Sequence, residues 1–253
     1  MYNDWFTIGG LTIHGYGVMI GIGILAAFWL ASRLGKRFGL DTDQIDNIIF
    51  VVLAAGYAGA KLTYCLVNWN QFITDPLSVL GSGGWVVYGG IICGFLGGYL
   101  YCRKKNLDFM KYFNVMIPCA SLAQGFGRIG CFLAGCCYGK PTSAWYGVTF
   151  PAQSLGPGEG ISVIPTQLIS SAGDFLLMIL LYLNLTKGKH PEYTGGYYLM
   201  GYSLGRFFIE FLRGDTARGF FGALSTSQVI AVFTFLLGAW LINRRQKEGE
   251  QAI

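Results

Sequence analysis

Seven stretches of predominantly apolar residues alternate with short polar segments along the chain, at about 15–32, 46–67, 85–102, 113–133, 167–185, 195–212 and 227–242. Each approaches the roughly 20 residues that a helix needs to cross a bilayer, so each predicts a transmembrane helix. Polar residues interrupt the fourth most heavily. The fold class expected is therefore all-α: a polytopic membrane protein of about seven transmembrane helices.

Basic residues between these stretches set an orientation. Twelve Lys and Arg fall on one side: Arg33, Lys36, Arg37, Arg103, Lys104, Lys105, Lys111, Lys187, Lys189, Arg244, Arg245 and Lys247. Lys140, Arg213 and Arg218 fall on the other, and Lys61, Arg128 and Arg206 lie inside spans. The side rich in Lys and Arg predicts the cytoplasm, with the N-terminus outside and the C-terminus cytoplasmic. Trp5, Trp69, Trp85 and Trp145 fall at expected outer ends and Trp29 and Trp240 near inner ends, as an interfacial belt requires. The first apolar run lacks a basic leader and reads as a retained anchor rather than a cleaved signal. A single transmembrane domain over 1–253 is expected, with residues 138–166 as its longest external loop. No internal repeat is visible.

Composition supports this picture. Of 253 residues, 53% are hydrophobic and 12% charged, and the mean hydropathy is +0.47. A formal charge of +5 could point to nucleic acid, but its segregation to one side of the expected membrane argues for topology instead, so no nucleic-acid partner is expected. The 38 glycines suit close helix packing, and Gly90 and Gly94 form a GxxxG pair on the third span. Seven cysteines, Cys65, Cys93, Cys102, Cys119, Cys131, Cys136 and Cys137, lie mostly in apolar runs and give no disulfide framework.

Charge inside the spans carries the chemistry. A charged side chain at a helix centre costs about 2.5–3.5 kcal/mol on insertion scales, and arginine cannot escape by deprotonation. With the orientation above, Lys61, Arg128, Arg206, Glu210, His14, Tyr16 and Tyr88 come to about one depth, toward the outer leaflet, while Asp174 lies nearer the middle. Tyr202, Arg206, Glu210 and Arg213 share one helix face. A structural ion pair would account for Arg206 with Glu210, and a buried structural arginine for Arg128. Their common depth points instead to a shared anionic ligand, and arginine suits bidentate recognition of a phosphate. A lipid phosphate is the anion most available there. Gly125, Gly127 and Gly130 thin the helix around Arg128 and let another helix or a headgroup approach.

Five motifs in order along the chain resemble the prolipoprotein diacylglyceryl transferase family: "HGYG" at 14–17, "GRIGCF" at 127–132, "PTQL" at 165–168, "GYSLGRFFIEFLRGD" at 201–215 and "LSTSQ" at 224–228. The second continues through Gly135 to Tyr138 and Gly139. The resemblance implies transfer of diacylglyceryl from phosphatidylglycerol to the lipobox cysteine thiol of a preprolipoprotein, giving a thioether and glycerol phosphate. It also implies a multi-pass protein of the bacterial plasma (inner) membrane with its site facing the outer leaflet. No cofactor and no metal are implied, and oligomeric state is not read. Arg128 and Arg206 would hold the phosphate and stabilise leaving-group charge. Tyr16 and Tyr202 would line the headgroup site with Cys131, Glu210 and Lys61, and Gly139 would allow the adjacent turn.

The chain departs from the family at several polar positions. Tyr88 stands where a catalytic histidine is expected, Cys131 where an asparagine is, Cys136 where an acidic residue is, Ile164 where a histidine is, and Lys61 where an arginine is. A thiol must lose its proton to attack well, and neutral tyrosine is a poor base. His14 is the candidate replacement; alternatively the arginines themselves lower the pKa of the incoming thiol. Cys131, Cys136 and Cys137 have C-x4-CC spacing, which on a continuous helix does not put Cys131 and Cys136 on one face. No nearby histidine completes a zinc set, so small side chains replacing polar ones are the leading reading. Two alternatives to the transferase stay open: a paralogous phospholipid-headgroup transferase with another acceptor, and a non-enzymatic lipid-binding or transport protein.

Overall fold

The structure is a computed structural model that describes residues 3–152, 154–215 and 219–250. Arg218, assigned above to the outer side, lies outside the described residues. The chain divides into two compact units, one comprising residues up to Leu30 together with those from Phe113 on, the other Ala31–Tyr112.

The helices expected from hydropathy all form: α1 Gly15–Arg37, α2 Thr42–Val67, α5 Val87–Lys104, α6 Phe109–Ala134, α7 Thr166–Lys187, α8 Thr194–Leu212 and α9 Thr226–Glu250. Short helices α3 (Trp69–Thr74) and α4 (Pro76–Gly81) join α2 to α5. Among the described residues four helices, α1, α2, α7 and α9, are long and apolar enough to cross a membrane by length and composition. Glycines and tyrosines dilute α5 and α8, and α6 and α8 carry Arg128, Arg206 and Glu210. The protein is thus a mostly helical membrane protein with several candidate spans. Leu25, Leu62, Leu66, Ile91, Leu180 and Phe233 are among many large apolar side chains left exposed, as lipid contact requires. All six tryptophans are exposed too.

The all-helical expectation needs one correction. Among the described residues three two-stranded antiparallel ladders are present: β1 (Asp4–Ile8) with β2 (Leu11–His14), β3 (Val148–Thr149) with β4 (Ser162–Val163), and β5 (Phe220–Phe221) with β6 (Leu224–Ser225). The first hairpin turns at Gly9 and Gly10, with φ of +57° and +86°. Two successive positive φ values define the tight hairpin turn that glycine permits.

In the Ala31–Tyr112 unit, α2 and α5 pack through glycines. A Cβ on Gly90 would stand 3.0 Å from the Gly56 carbonyl oxygen, and one on Gly94 3.2 Å from that of Val52. The GxxxG pair is therefore a packing device. Asp41 caps α2 by accepting from Asp43 N at 2.9 Å, and Asp75 caps α4 by accepting from Ser78 N at 3.1 Å.

In the other unit, hydroxyl groups pin the helices. Ser121 Oγ donates to the Asp174 carbonyl and Ser171 Oγ to that of Gly125, both at 2.8 Å, which fixes α6 against α7. Ser203 and Thr234 hydroxyls meet at 2.6 Å between α8 and α9, and Gly196 and Gly238 let those two helices touch at backbone distance. Such bonds matter in lipid, where apolar burial between helices supplies little net attraction.

Candidate active site

A cavity of about 500 Å³ opens between α6, α7 and α8. Its walls are largely apolar, with Leu176, Leu177, Leu204, Phe208 and Leu212 among them, and Arg128, Asp174, Tyr202 and Arg206 bring polarity to it. The two arginines singled out in the sequence thus line the same cavity from different helices.

Their environments differ. Arg206 Nη2 donates to Ser227 Oγ at 2.9 Å and lies 3.1 Å from Glu210 Oε2, one helical turn away. Glu210 is 2% exposed and Arg206 17% at the side chain, so this pair is substantially desolvated. Arg128 has no hydrogen-bond or ion-pair partner among the described residues; Tyr202, Cys131 and Asp174 act on it only through space. Asp174 is buried, and its Oδ2 likewise has no hydrogen-bond partner among them. A fixed guanidinium in apolar surroundings is costly unless an anion meets it.

The glycines around Arg128 divide their roles. A Cβ on Gly125 would press on the Phe175 ring at 2.6–2.9 Å, and one on Gly130 would meet Tyr16 at 3.1 Å, so both serve packing. One on Gly127 would meet nothing within 4 Å, which leaves open space beside Arg128. Tyr16, at the start of α1, packs on Gly130, and its backbone N–H donates to Asn3 Oδ1 at 3.1 Å. Tyr202 stacks on Tyr198 with ring centroids 5.7 Å apart, and Tyr198 donates to Gln124 Oε1 at 2.8 Å.

Beyond α6 the chain turns sharply. The helix ends at Ala134, Gly135 adopts φ +81° and Cys137 adopts φ +61°, a conformation rare for a residue with a Cβ. Cys136 is therefore no longer helical, and helical spacing does not set its distance from Cys131. The sulfur atoms of Cys131, Cys136 and Cys137 all lie within 4.8 Å of one another. Interaction with the Cys131 and Cys136 thiols, aided by the charges of Arg213 and Arg128, holds the Cys137 thiol below its ordinary value, and the same contacts with Cys131 and Cys137 push Cys136 up.

The start of α7 holds this turn in place. Gln167 Nε2 donates to the Cys136 carbonyl at 2.7 Å and Thr166 Oγ1 to the Cys137 carbonyl at 2.8 Å. Next along the chain, Gly139 N donates to the Ile164 carbonyl at 2.9 Å and Lys140 N to that of Leu212 at 2.8 Å. Gly139 is also bridged to Arg213, whose guanidinium grips Asp215 through two bonds, one from Nε at 2.8 Å. A Cβ on Gly139 would stand 2.6 Å from the Ile164 oxygen and 2.9 Å from that of Leu212. Three backbone segments converge there, and only glycine leaves room. "PTQL" was visible as a motif in the sequence, but its task of fixing two carbonyls was not.

His14, Lys61 and Tyr88 are not among the residues that line this cavity. His14 is exposed on β2, its Nδ1 2.6 Å from Asp4 Oδ1 across the hairpin. Lys61 and Tyr88 belong to the Ala31–Tyr112 unit. Buried Lys61 donates to the Ser82 carbonyl at 2.7 Å and lies 4.7 Å from the Trp85 ring centroid, which gives it a structural task. Tyr88 is a half-exposed residue in the first turn of α5.

Fold and site together define a helical membrane protein whose apolar cavity carries two guanidinium groups. A model of the prolipoprotein diacylglyceryl transferase family matches residues 3–244, and the chain belongs to that family. It is 45% identical over 240 residues to the phosphatidylglycerol–prolipoprotein diacylglyceryl transferase of Clostridium tetani (strain Massachusetts / E88), covering 94% of this chain and 95% of the relative. It is 41% identical over 246 residues to the corresponding transferase 2 of Clostridium perfringens (strain 13 / Type A), covering 96% and 95%. The transferase of Finegoldia magna is 31% identical over 246 residues, with the same coverage.

Proposed function

We propose that this protein transfers the diacylglyceryl group of phosphatidylglycerol to the lipobox cysteine thiol of a preprolipoprotein. Family membership and relatives of that name over nearly the whole chain support the reading. The observation that carries it is Arg128: a cation without a protein partner among the described residues, on the wall of an apolar cavity shared with Arg206.

In this reading acyl chains lie along the leucine-rich wall and the phosphate meets Arg128. Arg206, oriented by Glu210 and Ser227, lies on the same wall and takes up charge as it develops on the leaving group. The acceptor sulfur attacks the glyceryl carbon next to the phosphate ester. The S–C bond forms, the C–O bond breaks with its electron pair on oxygen, and glycerol phosphate leaves; the thiol proton is released. Tyr202 and Tyr16 border the headgroup, and Gly139 keeps the neighbouring turn tight. All seven long helices span the bacterial plasma membrane as a single domain, with the N-terminus and residues 138–166 outside and the site open to the outer leaflet.

The test is reconstitution with phosphatidylglycerol and a lipobox peptide, reading thioether product and released glycerol phosphate. Transfer that vanishes in Arg128→Ala is expected. A wild-type protein that releases no glycerol phosphate, or an Arg128→Ala variant with full turnover, overturns the proposal.

A further inference from the structure

The trio Cys131, Cys136 and Cys137 is a cluster that the arginine chemistry above leaves without a role. Three sulfur atoms from a helix end and a strained turn lie within 4.8 Å of one another. In a tetrahedral zinc site with Zn–S bonds of about 2.3 Å, sulfur atoms sit about 3.8 Å apart, so small side-chain rotations close the set. All three residues are partly accessible rather than sealed in the core. The turn that presents them is held by Gln167 and Thr166 through the Cys136 and Cys137 carbonyls. Cys137 also keeps a backbone conformation, φ +61°, that costs energy for a non-glycine residue.

The cluster contains three thiols and, among the described residues, no His, Asp or Glu joins it. Soft thiolate donors select thiophilic cations, and three protein ligands with one open position is the pattern of a reactive zinc centre rather than a closed structural one. Three thiolates and one Zn²⁺ leave a net negative charge, and the charges of Arg128 and Arg213 reach this cluster to offset it.

We propose that Cys131, Cys136 and Cys137 bind a zinc ion whose fourth position takes the sulfur of the acceptor cysteine. This rests on the transferase reading above and addresses its missing base. Tyr88 occupies the sequence position where the family resemblance leads one to expect a histidine, and a zinc ion deprotonates a coordinating thiol outright. The acceptor S–H gives its proton to bulk water and its sulfur binds as thiolate. That sulfur then attacks the glyceryl carbon, the S–C bond forms, and the C–O bond to phosphate breaks with its electron pair on the departing glycerol phosphate. The neutral thioether that results is a weak ligand and dissociates. No oxidation state changes.

The experiment uses the full chain in detergent under reducing conditions, titrated with cobalt(II), which reports thiolate ligation as charge-transfer absorption. One cobalt per chain is expected. A lipobox peptide is expected to raise that absorption by about one-third, as a fourth thiolate joins three; a peptide with serine for the cysteine should leave it unchanged. Cys137→Ser and Cys136→Ser should each weaken the absorption while melting as the parent does, and Cys65→Ser should retain it. Absence of the absorption in the reduced parent, or absorption indifferent to the acceptor cysteine, overturns the proposal. If glycerol phosphate is released while cobalt gives no signal, the zinc proposal fails and the transferase stands. If cobalt responds to the acceptor thiol but phosphatidylglycerol is not consumed, the cation site stands and the transferase fails.

Discussion

Arg128 and Arg206 line one cavity from different helices, and Arg206 alone of the two has its charge met by a carboxylate, that of Glu210 at 3.1 Å. Their alanine variants should therefore differ. Arg128→Ala removes a partly buried charge with no ion-pair partner among the described residues, so the melting temperature in detergent should hold or rise while transfer falls by about 10²–10³-fold or more. Arg206→Ala leaves Glu210 buried beside a lost partner and should cost about 3 kcal/mol of stability as well. Arg206→Ala with Glu210→Leu should recover the stability and not the transfer. Thermal melts alongside turnover check all three.

Gly139 and Gly127 should respond oppositely to the same methyl group. Gly139→Ala drives a Cβ into the Ile164 and Leu212 carbonyls, and backbone cannot move aside as a side chain can. A loss of about 1–3 kcal/mol is expected, in the range for overpacking. Gly127→Ala meets nothing within 4 Å and should melt as the parent does. Matched melting curves of the two variants decide this.

The hold of α7 on the cysteine turn is also measurable. Gln167→Leu removes the donor to the Cys136 carbonyl, and Thr166→Val the donor to that of Cys137. A fully buried carbonyl left without its partner costs about 1–3 kcal/mol, and these part-buried ones fall at the low end of that range, about 1 kcal/mol. Each variant should lose that much stability and should expose Cys136 and Cys137 to faster alkylation, read by mass spectrometry of the labelled peptides.

Lys61 should prove to be a structural cation. It holds the turn before α5 through the Ser82 carbonyl, so Lys61→Met should lower the melting temperature and leave the KM for phosphatidylglycerol unchanged. A raised KM with an unchanged melt would return Lys61 to the substrate.

The proposed membrane orientation rests on the segregation of Lys and Arg. Alkaline phosphatase, which is active only outside the cytoplasm, should be active when fused after Gly160 and inactive when fused after Arg245. The reverse pattern would invert the site's leaflet.

Hydropathy and charge determined the seven long helices, their order and a candidate orientation, because a helix in lipid satisfies its own backbone and only its apolar length has to be encoded locally. Arg128 and Arg206 were legible for the same reason: a permanent charge inside an apolar run is expensive wherever it points, so its presence alone is informative. Tertiary structure decided what these charges face. The four-residue spacing within α8 already offered Glu210 to Arg206; whether another helix brings a carboxylate to Arg128 depends on helix rotation, which no spacing within one span reports, and there the fold left the charge without an ion-pair partner among the described residues. The cysteine trio shows the same limit. Its members are close only because the helix stops at Ala134 and two residues with positive φ fold the chain back on itself. Helical periodicity describes the faces of a continuous helix, and past its last turn the distances belong to the fold.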